Sequence, residues 1–243
     1  MIKLAEATID EQDMNALSKW ISTYPRLTKG PLTVEFEDLW SKWLGVKHST
    51  FVNSGSSANL LMLATLMEAG DLKVGDKVVV PALSWATDLS PVMQLGLTPV
   101  LCDCNLEDFS IDINLFEKLI KEHSPKALIL VSVLGLPPNM PLISRICKDN
   151  NVILLEDCCE SLGSGIEGVG KLGTWGVMST FSTYFGHHIS TIEGGMLCTS
   201  DERYEKIIKS IRSHGWCRDW PKKDQEKHCR EWEVSEFDSL YTF

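Results

Sequence analysis

Residues 181–195 run FSTYFGHHISTIEGG: the end of an apolar run, a polar turn carrying two adjacent histidines, His187 and His188, and Glu193-Gly194-Gly195 leading into a second apolar run. Val177 to Thr199 as a whole predicts two strands joined by that turn, with a helix from Glu202 to Ser213 behind them. Upstream the same pairing of strand and helix recurs. Ser49 to Val52 precedes a helical pattern over Ser57 to Glu68, Lys77 to Val80 precedes Asp88 to Leu95, and Thr98 to Leu101 precedes Ile113 to His123. Ala127 to Val131 then precedes Leu142 to Asn150, and Val152 to Leu155 runs into Glu156-Asp157. Continuous apolar strands of this kind are buried on both faces, so the pattern predicts an α/β domain with a mostly parallel sheet flanked by helices in three layers.

Before the first strand, a helix is expected from Asp10 to Tyr24, stopped by Pro25. A second places Phe36, Leu39, Trp40, Trp43 and Leu44 on one face, with Gly45 in the position of a C-terminal cap. After Gly215, residues 216–236 are polar, rich in tryptophan and without clear periodicity. The 243 residues, 44% of them hydrophobic, are ample for a large core. No apolar run reaches spanning length and the start shows no leader, which reads as a cytoplasmic protein without membrane partners. The net charge of −10 repels nucleic acid, so a phosphate-bearing ligand must be gripped locally by amides and hydroxyls. Eight cysteines, mostly within apolar segments, read as reduced thiols rather than a disulfide framework.

In a parallel α/β sheet, ligands gather beyond the carboxyl ends of the strands. The residues there are Asn53 to Ser57, Pro81 to Trp85, Asp157 with Glu160, and Ser182 through Gly195. Gly55, Ser56 and Ser57 form a small-residue turn into a helix N-terminus, suited to a phosphate or simply a capped turn. Trp85 reads either as a platform for a planar ligand or as one of the core tryptophans. Asp157 faces a ligand or caps the following loop, because a carboxylate at a buried strand end needs a partner.

Taken together, Gly30-Pro31, Asn53 to Ala58, Pro81 with Trp85, Glu156-Asp157 and Glu193-Gly194-Gly195 resemble the DegT/DnrJ/StrS family of sugar aminotransferases, which have the type I pyridoxal-enzyme fold. In that family a serine stands five residues before the cofactor-binding lysine, and a glutamate with two glycines follows six residues after it. Ser182 and Glu193 therefore both point to His187. The resemblance implies pyridoxal 5'-phosphate or pyridoxamine 5'-phosphate as cofactor. It makes Gly55, Ser56, Ser57 and Ser182 its phosphate contacts, Trp85 its stacking residue and Asp157 the partner of its ring nitrogen, with Glu160 nearby. Imidazole cannot hold the cofactor covalently as a lysine does, but it is a good acid and base near neutrality.

Within the family, a pair of histidines at this place resembles the sugar 3-dehydratases. The implied substrate is a nucleotide sugar, GDP-linked by preference, with glutamate as amino donor, and the implied assembly is a homodimer. His188, His214 and Arg218 are the implied substrate contacts. Other readings are an ordinary aminotransferase or a truncated, non-catalytic fragment, since family members are longer. On this reading residues 1–215 form the cofactor domain, 216–243 begin a substrate region, and a C-terminal small domain is missing. No metal is expected: His214, Cys217, His228 and Cys229 match no common zinc spacing. The Cys-x-Cys pair of a related iron–sulfur dehydrase is also absent, with Cys102 and Cys104 lying far upstream of its place.

Overall fold

The structure, a computed structural model, describes residue 6 and residues 8–241. Residues 1–5, where the sequence reading looked for a leader, residue 7 and residues 242–243 lie outside them. In chain order the elements are α1 (Glu11–Ile21), α2 (Pro31–Leu44), β1 (His48–Val52), α3 (Gly55–Glu68), β2 (Lys77–Pro81), α4 (Ala86–Gln94) and β3 (Thr98–Cys102). They continue with α5 (Ile113–His123), β4 (Ala127–Val131), α6 (Met140–Asp149), β5 (Ile153–Asp157), β6 (Gly165–Ile166) and β7 (Gly170–Lys171). The last are β8 (Met178–Ser182), β9 (Gly195–Thr199), α7 (Glu202–Ile211), α8 (Lys222–Trp232) and α9 (Glu236–Tyr241).

Seven strands form one sheet in the order β1-β9-β8-β5-β4-β2-β3. Six of them run parallel, and β9 alone runs against both its neighbours, pairing Val52 with Gly195 on one side and Ser182 with Gly195 on the other. The carboxyl ends of β1, β8, β5, β4 and β2 therefore share one edge of the sheet. β4 and β9 are buried along their whole length, whereas β3, at the sheet's edge, is half exposed. β6 and β7 form a small separate hairpin.

The period of two along each strand divides the core into two layers. Leu128 and Leu130 face Trp40 and Leu44 of α2, Phe116 of α5 and Ile143 of α6. Ala127 and Ile129 face Met62, Leu63 and Leu66 of α3, Val92 of α4 and Ile208 of α7. Helices on both faces of a mostly parallel sheet make the three-layer arrangement expected from the sequence. Among the described residues, no helix is long and apolar enough to cross a membrane. All eight cysteines are unpaired, five of them buried.

Two expectations need correction. In α2 the buried face is turned: Leu39 and Trp43 are exposed, while Glu37 and Ser41 are buried beside Trp40 and Leu44. Polar partners cause the turn. Glu37 Oε1 accepts from the Phe51 N–H at 2.8 Å and from Arg212 Nη1 at 2.7 Å, and Ser41 Oγ donates to the Glu37 carbonyl. The stretch after Gly215 is also more regular than its polarity suggested, because α8 occupies Lys222–Trp232 with no buried residue. Gly45 caps the C-terminal end of α2 as read, at φ 93°, and at the other end Gly30 is the N-cap with Pro31 at N1. α1 stops three residues before the expected Tyr24, whose own φ is 51°.

Candidate active site

The turn from β1 into α3 is held by Ser54. Its extended backbone and side chain make it the N-cap, and its Oγ accepts from the Ser57 N–H at 3.0 Å. The amides of Gly55 and Ser56, in the first turn, have no acceptor within the helix. Ser182, at the end of β8, lies against this turn. A Cβ on Gly55 would come within 2.8 Å of Ser182 Cβ and 2.9 Å of Cys159 Sγ, so only glycine allows β8 and the loop after β5 to close on α3. The two glycines entering β9 are equally constrained. A Cβ on Gly195 would lie 2.4 Å from the Ser54 carbonyl, and one on Gly194 2.4 Å from the hydroxyls of Thr183 and Thr191.

Asp157 ends β5 and is buried. Its Oδ2 accepts from Asn59 Nδ2 at 2.6 Å and its Oδ1 from the Cys159 N–H at 2.8 Å. Asn59, on α3, is fixed in turn by the Thr180 hydroxyl, which donates to its Oδ1 at 2.6 Å. Glu156, its neighbour in sequence, points to the other face and accepts from the amides of Gly173, Trp175 and Gly176, each at 2.7 Å, so it anchors a loop. Glu160 Oε2 accepts from the Leu134 N–H at 2.9 Å, where the chain takes a positive φ.

The loop between β8 and β9 carries the histidines. Its feet are tied by Thr183 N–H to the Gly194 carbonyl and Thr191 N–H to the Thr183 carbonyl, both at 2.9 Å, and by a 2.6 Å contact between the two threonine hydroxyls. His187 is half-buried and its N–H donates to the Tyr184 carbonyl, while His188 is exposed. Burial holds the His187 imidazole below its ordinary value, against the pull of the Asp157 and Glu160 charges and with a push from His188. The charges of Asp157 and Glu160 therefore reach His187, the position that the family resemblance singled out between Ser182 and Glu193.

Trp85 is the N-cap residue of α4 and 72% exposed, so it is no core tryptophan. His214 and Arg218 are also exposed, on either side of Trp216: the His214 ring lies 4.6 Å from it and the Arg218 guanidinium 4.7 Å. Arg218 lines a cavity of about 430 Å³ with Arg26, Lys29 and Asp219. Among the described residues, no three His, Cys, Asp or Glu side chains converge as a metal would require. Three residues of the site, Asn59, Thr180 and Asp88, went unread in the sequence. Only Asp88 left a trace there, as a carboxyl on the same helical face as Val92.

The order of strands, the lone reversed β9 and the loops gathered at one sheet edge define the large domain of the type I pyridoxal-enzyme fold. The chain belongs to the DegT/DnrJ/EryC1/StrS aminotransferase family, whose model matches residues 7–236. It is 39% identical over 220 residues to GDP-4-keto-6-deoxy-D-mannose 3-dehydratase of Yersinia pseudotuberculosis, covering 90% of this chain and 55% of that protein. Among solved structures, the E. coli GDP-4-keto-6-deoxy-D-mannose-3-dehydratase with bound hydrated PLP superposes with a TM-score of 0.85 at 38% identity, covering 91% of this chain and 57% of the other. A histidine-to-asparagine variant of GDP-4-keto-6-deoxymannose-3-dehydratase with bound GDP-perosamine gives the same TM-score and identity, covering 92% and 57%. The chain spans just over half the length of these relatives.

Proposed function

We propose that this chain is the cofactor-binding part of a nucleotide-sugar 3-dehydratase that uses pyridoxal 5'-phosphate and pyridoxamine 5'-phosphate. On this reading the substrate is a GDP-linked 4-keto-6-deoxy sugar, the amino donor is glutamate and the working form is a homodimer. The observation that carries it is His187 in the loop between Ser182 and Glu193, at the lysine position, half-buried and within the electrostatic influence of Asp157 and Glu160. Lys171, the nearest lysine in sequence, is engaged elsewhere: its ammonium donates to the Trp43 carbonyl and sits 4.4 Å over the Trp43 ring.

The residues fit the cofactor. The free first amides of α3 and the Ser56, Ser57 and Ser182 hydroxyls suit its phosphate, in a cradle that a Cβ on Gly55 would fill. Asp157, held on both oxygens, suits a protonated ring nitrogen, and the open Trp85 face suits the ring. When bound, pyridoxamine phosphate supplies an amine for the sugar's C4 ketone and a ring that takes up the electrons of a broken C–H bond. With the cofactor bound, His187, neutral near pH 7, would take the proton from the cofactor's C4′ carbon and deliver it to the departing C3 hydroxyl, which would leave as water. Glu160, fixed by the Leu134 amide, favours the protonated form of the imidazole through its charge. His188, His214 and Arg218 are assigned to the substrate. Residues 1–215 form the cofactor domain and 216–243 the start of the substrate region.

The test gives the chain GDP-4-keto-6-deoxymannose, glutamate and pyridoxal phosphate, then reduces a second, substrate-free sample with borohydride for intact mass. A 3-deoxy-4-keto product with released ammonia, and bound cofactor without a covalent adduct, are expected. A 4-amino sugar with a lysine adduct would make the protein an aminotransferase. Absence of both turnover and cofactor binding would make this chain a non-catalytic fragment.

A further inference from the structure

A second carboxyl lies behind Asp157. Asp88, in the first turn of α4, is completely buried. It shares one donor with Asp157: Asn59 Nδ2 lies 2.6 Å from Asp157 Oδ2, 3.2 Å from Asp88 Oδ1 and 3.3 Å from the Thr87 carbonyl. Asp88 Oδ2 is buried and receives no hydrogen bond from any donor. Two carboxylates confined together without a cation do not both ionise, so one of them keeps a proton. The donors decide which. Asp157 has two short ones, Asn59 and the Cys159 amide, whereas Asp88 has the longer contact from Asn59 and the opposing influence of the Trp85 backbone, which burial and Asp157 outweigh. A proton on Asp88 turns its unpartnered Oδ2 into a donor for the neighbouring carboxylate.

We propose that Asp88 is a positioning residue which, as a neutral carboxylic acid, donates to Asp157 and holds that carboxylate ionised and oriented at the site. Burial and the Asp157 charge raise Asp88 to about 10, with Glu160 adding to the effect. The other titratable groups nearby do not offset this. Cys159 is kept a thiol by burial and by Asp157, and burial keeps His187 below its ordinary value. The role deepens the proposed function, since Asp157 is read there as the ring-nitrogen partner. The Asp88 proton itself requires no cofactor.

The experiment therefore begins without cofactor. Infrared spectra of the chain carrying carboxyl-labelled aspartate are expected to show a protonated carboxylic acid at pH 8, lost in Asp88→Asn. Because the folded group binds its proton more tightly than the unfolded one, the contribution of Asp88 to the stability of the wild-type chain must fall as pH rises from about 4 to about 10. Asp88→Asn should lose one proton's worth of that slope. A missing band together with an unchanged slope would overturn the proposal. The second arm measures pyridoxal phosphate affinity by absorbance. Asp88→Asn keeps a donor and should bind like the wild type, whereas Asp88→Val should bind roughly tenfold more weakly, as loss of a hydrogen bond to a charged group implies. Equal binding by both variants would remove the positioning role. Failure of all variants to bind would refute the cofactor reading and leave the infrared and pH results to decide Asp88.

Discussion

At the scale of single residues, the proposed role of His187 makes a pH prediction. Burial lowers its imidazole from the ordinary histidine value, so it is a free base at neutrality. On that proposal turnover should rise with pH along a limb whose midpoint lies below that of a free histidine, as measured by steady-state rates. His187→Asn should abolish the limb and lower turnover by about 10²–10⁴-fold, the usual worth of a positioned acid–base group. The residues readable from the sequence pattern were those whose place follows from a strand end, Gly55, Asp157 and Ser182, whereas His187 was picked out only through the family resemblance, by its place between Ser182 and Glu193. Asn59 and Asp88 were not, because their meaning lies in partners far along the chain. The Asn59–Asp157 bond spans 98 positions. Trp85 gave the opposite lesson, since exposure, which the sequence does not state, separates a core tryptophan from an open one.

At the scale of elements, strands and helices with an apolar stripe were legible, and those shaped by distant polar contacts were not. The strand cores were found to within a residue or two because β4 is a continuous apolar run and β5 and β9 are apolar over most of their length. α8 was missed because it buries nothing, leaving only the good helix propensity of its lysines, glutamates and arginine to announce it. α2 was found but mis-rotated, because the Glu37–Arg212 pair joins residues 175 apart. That pair ties α2, β1 and the end of α7 together: both side chains are only 10% exposed, and Arg212 Nη1 also donates to the Phe51 carbonyl at 3.1 Å. Arg212→Ala leaves Glu37 buried without its cation and should destabilise the fold by about 3–5 kcal/mol in denaturant titrations. Glu37→Gln keeps an acceptor for the Phe51 amide and should cost less.

At the scale of the whole molecule, the sheet binds two apolar layers into one cooperative unit. Leu128 and Ile129 are adjacent in β4 and face opposite layers, and both are completely buried. Leu128→Ala and Ile129→Ala should each destabilise by about 2–5 kcal/mol. Each should shift a single unfolding transition seen alike by near- and far-ultraviolet circular dichroism. Two separated transitions in either variant would mean that the layers unfold independently. This architecture was the most legible feature of all, because alternation of apolar strand and helix dictates it whatever the local contacts.

The reversal of β9 has a consequence for how such a protein can change. Residues 183–194 leave and re-enter the sheet at the same edge, with both feet fixed by threonine and glycine backbone contacts. Everything between those feet is an exchangeable cassette. A lysine there can give way to a histidine, or the tip can be rewritten, without shifting the register of any strand. The reaction and the scaffold are thereby free to diverge at different rates.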